Sequence, residues 1–293
     1  MQAFAAGRLA FVEDRYLDAE EAFRLSIDGF TANAVDIHCW LALRLAARLA
    51  EVRGDHASAI DALERAVVIA RSLGLTGSVN LLLGDLGESL GAAGEFDRAR
   101  DVLAQPLAAA RAVGFVRGVC ESLAGLAITE WRADEPDRAE SVAAAGLEGA
   151  GQIDHFEAAA FCLVTLGWAA ARRGDLQDAR TRHVEALRCA HDRALPRATA
   201  FALEGLAALA MLEDDGREAA LLLGAANTLR EAPGAAVGVA FAVGAHGENA
   251  EVLAAARRTV GGAVVEAAFA EGAEAPDAVT SALFAAAPQR PGS

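Results

Sequence analysis

Alanine stands at Ala19, Ala59, Ala99, Ala139, Ala179 and Ala219, each 40 residues after the last. A fixed period of this length marks one supersecondary unit repeated and stacked along the chain. Other columns keep the same register. Leucine recurs at Leu43, Leu83, Leu123, Leu163 and Leu203, and again at Leu86, Leu126, Leu166 and Leu206. A further column holds only small residues: Gly7, Ala47, Gly87, Ala127, Gly167 and Ala207. Two helices that cross closely need a side chain no larger than a methyl at the crossing on each, with leucine at i, i+3 and i+7 filling the space around it. The pattern is that of paired, buried helices.

Between the two helices of each unit the chain reads Arg53-Gly54-Asp55, Ala93-Gly94-Glu95, Ala133-Asp134-Glu135, Arg173-Gly174-Asp175 and Glu213-Asp214-Asp215. Glycine ends the first helix, and an acid opens the second, where it favours the positive end of the helix dipole. After the second helices come Ser72-Leu73-Gly74-Leu75 and Ala112-Val113-Gly114-Phe115. These decay into Gly151-Gln152-Ile153-Asp154 and Asp192-Arg193-Ala194-Leu195-Pro196, with Pro196 fit for a helix start. Leu, then Leu-Gly/Ala, then Gly-Asp/Glu, then Ala twelve residues after the small position resembles the tetratricopeptide (TPR) repeat over about residues 3 to 230. The period exceeds the roughly 34 residues usual for that repeat, and long second helices such as 57–73 and 96–113 are expected to absorb the excess. The resemblance implies an all-α, right-handed superhelical solenoid of antiparallel helix pairs. The expected division is an array of six pairs over residues 1–230 and capping helices with a disordered tail over 231–293.

Composition supports helix and narrows chemistry. Hydrophobic residues make up 54% of the 293, with 5% aromatic and seven prolines, a mixture suited to close helix packing. A formal charge of −15, from 26 basic and 41 acidic residues, repels nucleic-acid phosphates and anionic membrane surfaces. All the basic residues are arginine, which removes the P-loop lysine, Schiff-base chemistry and lysine general bases. Cys39, Cys120, Cys162 and Cys189 lie far apart without zinc-site spacing and read as small core residues of a reducing compartment. The start, Met1-Gln2-Ala3-Phe4, has no signal-peptide pattern, and no apolar stretch of membrane length appears. A cytoplasmic protein is expected.

After Arg230 the register is lost at Ala232-Pro233-Gly234-Ala235-Ala236-Val237-Gly238, and helices are expected over about 248–260, 264–271 and 277–286, with a disordered tail over 288–293. The run Arg217-Glu218-Ala219-Ala220-Leu221-Leu222-Leu223-Gly224-Ala225-Ala226-Asn227-Thr228-Leu229-Arg230 comes first. With Arg257-Arg258-Thr259-Val260-Gly261, Ala267-Ala268-Phe269-Ala270-Glu271-Gly272 and Asp277-Ala278-Val279, it resembles the carboxy terminus of large ATP-binding LuxR-type and SARP-type transcriptional regulators. In those proteins a nucleotide switch and a DNA-binding domain accompany a TPR array. This chain has neither a G-x-x-x-x-G-K-[ST] motif nor a basic helix-turn-helix. The resemblance therefore implies a sensor or scaffold part of such a regulator, the alternative being a stand-alone TPR adaptor.

If the first helix of each pair lines the concave surface, the lining columns bring together Ile128, Trp131, Phe161, Val164, Trp168 and Phe201, edged by Arg117, Glu121, Glu157, Arg197 and Glu204. Such a lining suits a helix or peptide laid in a groove, or a small-molecule effector. The other reading is that the aromatics plug the space between helices. His183 and His191 read as exposed residues among arginines, and His38 lacks further ligands, so no metal site is expected. Acid clusters such as Glu213-Asp214-Asp215 fall at turns, and Ser78, Ser89, Ser122 and Ser141 sit in no nucleophile elbow. Neither catalytic residues nor a cofactor are assigned, and an enzyme on an α/α scaffold ranks third.

Overall fold

The computed structural model describes residues 2–13, 15–32, 36–231 and 245–286, and every regular element among them is an α-helix. In chain order these are α1 (Gln2–Val12), α2 (Tyr16–Ala32), α3 (Asp36–Val52), α4 (His56–Ser72), α5 (Thr76–Ala92), α6 (Phe96–Ala112), α7 (Val116–Arg132) and α8 (Pro136–Gln152). There follow α9 (Phe156–Arg172), α10 (Leu176–His191), α11 (Pro196–Leu212), α12 (Gly216–Glu231), α13 (Ala245–Val260), α14 (Gly262–Glu274) and α15 (Pro276–Ala286). The helices group into two compact units, α1 to α6 and α7 to α15. Within each unit successive helices pack side by side. Links as short as 53–55 and 173–175 force the chain to reverse between them.

In the central pairs the first and second helices are the same length. Both α3 and α4 run for 17 residues, as do α5 and α6, so the residues beyond the usual TPR period are shared between the helices and not confined to the second ones. The 40-residue repeat is two near-identical halves, because the same turn recurs after each of α3 to α11. Gly54, Gly74, Gly94, Gly114 and Gly174 hold φ between 67° and 83°, and Asp134, Asp154, Ala194 and Asp214 take the same left-handed conformation without being glycine. At these turns the following amide reaches back to a carbonyl five residues earlier, as in Asp55 to Ala50 (2.9 Å), His155 to Ala150 (2.9 Å) and Leu195 to Ala190 (3.0 Å). The turns whose sequence decays therefore keep their geometry. Asp55, Asp175 and Asp215 then accept the amides of Ser58, Asp178 and Glu218 and cap the next helix. Ala194 at φ 51° lacks the polar side chain that eases this conformation for aspartate, so Ala194→Gly should stabilise the chain by about 1 kcal/mol, read as a rise in melting temperature.

The small-residue column is a row of holes for knobs from the second helices. A β-carbon at Gly7 would lie 2.8 Å from the Phe23 ring, and one at Gly87 would lie 2.4 Å from Leu103. The knob column continues through Leu63, Ala143, His183 and Leu223, all buried. His183 is thus a core residue, not the exposed histidine its arginine neighbours suggest. Its ring lies in a slot between two glycines, 2.6 Å from where a β-carbon of Gly167 would stand and 2.5 Å from that of Gly205. Neither ring nitrogen has a hydrogen-bond partner among the described residues, and burial, with Arg180 nearby, brings its pKa down to about 3. The cysteines fill similar niches: Cys162 and Cys120 face Gly146 and Gly149, and burial pushes the Cys162 thiol up to about 12.

Neighbouring pairs are held in register by ion pairs across one repeat, Glu20 with Arg53, Glu140 with Arg173, and Arg180 with Glu213. These occupy equivalent columns of the 40-residue repeat, and in the last pair the two charges have exchanged places. Partly exposed pairs of this kind contribute about 0–1 kcal/mol each, so they select register more than they add stability.

In the second unit α13, α14 and α15 all pack on α12, with α13 also reaching α11 and α15 reaching α10. α13 begins before the expected 248 and ends at 260 as expected, α14 extends beyond 264–271 at both ends, and α15 begins one residue before the expected 277–286. The α12–α14 crossing is made by glycine on both sides. A β-carbon on Gly224 would stand 2.0 Å from the Phe269 carbonyl oxygen, and one on Gly272 would stand 1.9 Å from that of Leu221. The break expected at 232–238 and the tail at 288–293 lie outside the described residues. No described helix is long and apolar enough to cross a membrane.

Candidate functional site

Three first helices of the second unit carry an aromatic ladder. Near the end of α7, Trp131 stacks on Trp168 of α9, with ring centres 5.6 Å apart and planes inclined by 22°. Trp168 meets Phe201 of α11 edge-on at 5.0 Å, and Phe201 meets Phe161 of α9 at 5.2 Å. Equivalent positions on stacked repeats lie side by side, which is how residues 30 to 40 apart in sequence come into ring contact. Aromatic pairs in such geometries contribute about 0.5–1.5 kcal/mol beyond their buried area. Trp131 and Trp168 are half-buried, and the Arg172 guanidinium lies 5.9 Å above the Trp131 ring while pairing with Asp134.

At the other end of the same helices sits a polar group. His155 lies 3.1 Å from Glu121, and Arg117 is 3.9 Å from the same carboxylate. Burial raises the pKa of Glu157, against the opposing pull of Arg197 and His155. Arg117 is exposed, while Glu121, Glu157 and Arg197 are half-buried.

The proposed lining therefore divides by depth. Trp131 and Trp168 reach the surface with the polar group, whereas Ile128, Phe161, Val164 and Phe201 are buried beneath them. Glu204 is also buried. It accepts from Arg230 at the end of α12 (2.6 Å through Nε) and from Asn249 of α13 (2.8 Å), tying the carboxy-terminal helices to α11. His155, Arg172, Arg230 and Asn249 were not among the residues drawn from the sequence. His155 is one residue outside its helix, Arg172 is the last residue of α9 and falls outside the lining columns, Arg230 is on a second helix, and Asn249 lies beyond the repeat.

First-helix positions of the first unit are charged instead. Arg48 pairs with Glu51 at 2.7 Å and Arg44 with Asp85 at 2.5 Å, all on α3 and α5, and Ser89 donates to Glu51. Burial works against the Arg48 charge, but Glu51, Asp85 and Glu88 together outweigh it and raise its pKa. Such a network is costly to break, because removing one partner strands a buried charge.

This architecture is matched among solved structures. The apo form of RapI is similar over 88% of this chain and 97% of its own, with a TM-score of 0.61 at 14% identity. The chain has a TPR-like helical-repeat fold. BtubC (BKLC) from P. vanneervenii is similar over 80% of this chain and 95% of its own, with a TM-score of 0.48 at 18% identity. No protein family and no curated protein matches the sequence. At these identities the likeness to RapI is one of fold, and the TPR-like array takes its site from its own residues.

Proposed function

We propose that this TPR-like array is a binding module for a peptide or protein segment laid along the first helices of the second unit, with Trp131 and Trp168 as anchors. The observation that carries this reading is the ladder: two stacked, half-buried tryptophans on successive repeats with charged groups at the other end of the same helices. Aromatic anchors with a polar edge are what a peptide groove offers its ligand. Binding is favoured over catalysis because these positions present rings and mutually paired charges, and no nucleophile with its base converges on them.

The carboxy-terminal resemblance supports a place in the sensor or scaffold part of a cytoplasmic transcriptional regulator, and the acidic charge supports contact with protein and not with DNA. A test is to select peptides from a random display library on the purified chain and titrate the best by calorimetry. Trp131→Ala/Trp168→Ala should weaken binding by about tenfold or more while unfolding stays cooperative. Unchanged affinity in that variant would remove the ladder from the proposal.

A further inference from the structure

A second concave feature lies on α10 and α12, the second helices, away from the ladder. Between them and α15 is a cavity of about 740 Å³, within the size range of small-molecule sites. Its floor and far wall are apolar: Val184 from α10, Leu221 and Leu222 from α12, and Val279 and Leu283 from α15. Its α10 wall runs from Gln177 to Cys189, about 18 Å of helix, so the space is elongated. Polar groups sit along that edge, and two of them are arginines in different situations. Arg180 is committed to Glu213 and Glu218. Arg188 stacks 5.5 Å over the Phe284 ring, and no carboxylate pairs with it among the described residues. Burial raises the Glu218 pKa against the opposing pull of Arg180, as expected beside a poorly hydrated wall.

We propose that this cavity binds a linear amphiphile, a medium-length acyl chain bearing one carboxylate, with the chain along Val184, Leu221 and Leu222 and the carboxylate on Arg188. Length and apolar lining select a flexible hydrocarbon body, and the arginine free of an acidic partner selects an anionic head. A preformed space of this shape costs little to fill, since its walls need no rearrangement. The site is independent of the ladder, so either can fail without the other.

Calorimetric titration of the full chain with decanoate, dodecanoate and tetradecanoate, and with dodecanol, tests it. Affinity should rise roughly fourfold per added methylene, the equivalent of about 0.8 kcal/mol, until the chain outgrows the cavity. Arg188→Gln should weaken dodecanoate about tenfold or more and leave dodecanol unchanged. Ala282→Trp, which fills the space from an exposed position on α15, should abolish binding of both without lowering the melting temperature. The assignment is overturned if wild type binds none of the four, if Arg188→Gln weakens acid and alcohol alike, or if Ala282→Trp binds as wild type does. It is equally overturned if Ala282→Trp converts a dimer to a monomer while wild type takes up no acid, for then a second copy is the occupant.

Discussion

His183→Leu is expected to stabilise the chain by about 1–3 kcal/mol at neutral pH, the cost of leaving a buried polar group without a partner. Both imidazole nitrogens are unpartnered among the described residues, and leucine already fills the equivalent knob position against Gly87, so the replacement keeps the volume and removes the polar cost. The effect should grow in acid. The folded pKa is about 3 against an ordinary 6.5. Above 6.5 the ring is neutral in both states and contributes nothing to pH dependence. As pH falls through 6.5 the unfolded chain takes up a proton that the folded chain refuses, and stability is lost until about pH 3. The slope approaches 1.4 kcal/mol per pH unit. Chemical denaturation from pH 7 to 4 should show the wild type losing stability faster than His183→Leu, the difference isolating this ring from the carboxylates that titrate in both. Parallel curves would mean that the slot admits water or a partner to His183.

Gly224→Ala and Gly272→Ala are expected to move in the opposite direction to helix propensity. In an exposed helix alanine gains about 1 kcal/mol over glycine. Here the added methyl would overlap a carbonyl oxygen of the facing helix at 2.0 or 1.9 Å, and backbone cannot step aside as a side chain can. A loss at or above the upper end of the usual 1–3 kcal/mol overpacking cost follows, with α14 pushed off α12. Hydrogen exchange resolved by peptide should show α13 to α15 losing protection while α7 to α10 keep theirs. Uniform protection in either variant would mean that the crossing is looser than described.

The same contacts explain how far the sequence was legible. Column identity revealed the helix pairs because a knob and its hole repeat at a fixed period, and Gly7, Gly87 and Gly167 could only be read as close crossings. It misread His183 because an arginine-rich neighbourhood describes the helix surface, while the knob position belongs to the 40-residue column that holds Leu63, Leu103 and Leu223. The turn at Ala194 looked degraded because its side chain gives no sign of the left-handed backbone that the neighbouring packing imposes. At the candidate site, the columns brought Trp131, Trp168 and Phe201 together correctly as neighbours, since stacking repeats converts sequence period into contact. They could not separate depth along one helix face, which is why Phe161, Val164 and Glu204 joined the lining although they are buried. Glu204 in particular is taken up by Arg230 and Asn249, residues beyond or at the end of the repeat, where no column applies.

The most direct measurement pairs folding and binding in one variant, Trp168→Ala. Loss of the Trp168 ring removes two aromatic contacts, so the unfolding free energy should fall by about 1–3 kcal/mol with the lost buried area in addition, and the selected peptide should weaken about tenfold or more. The same stability loss with peptide affinity unchanged would make the ladder a plug between helices and contradict the binding surface placed there.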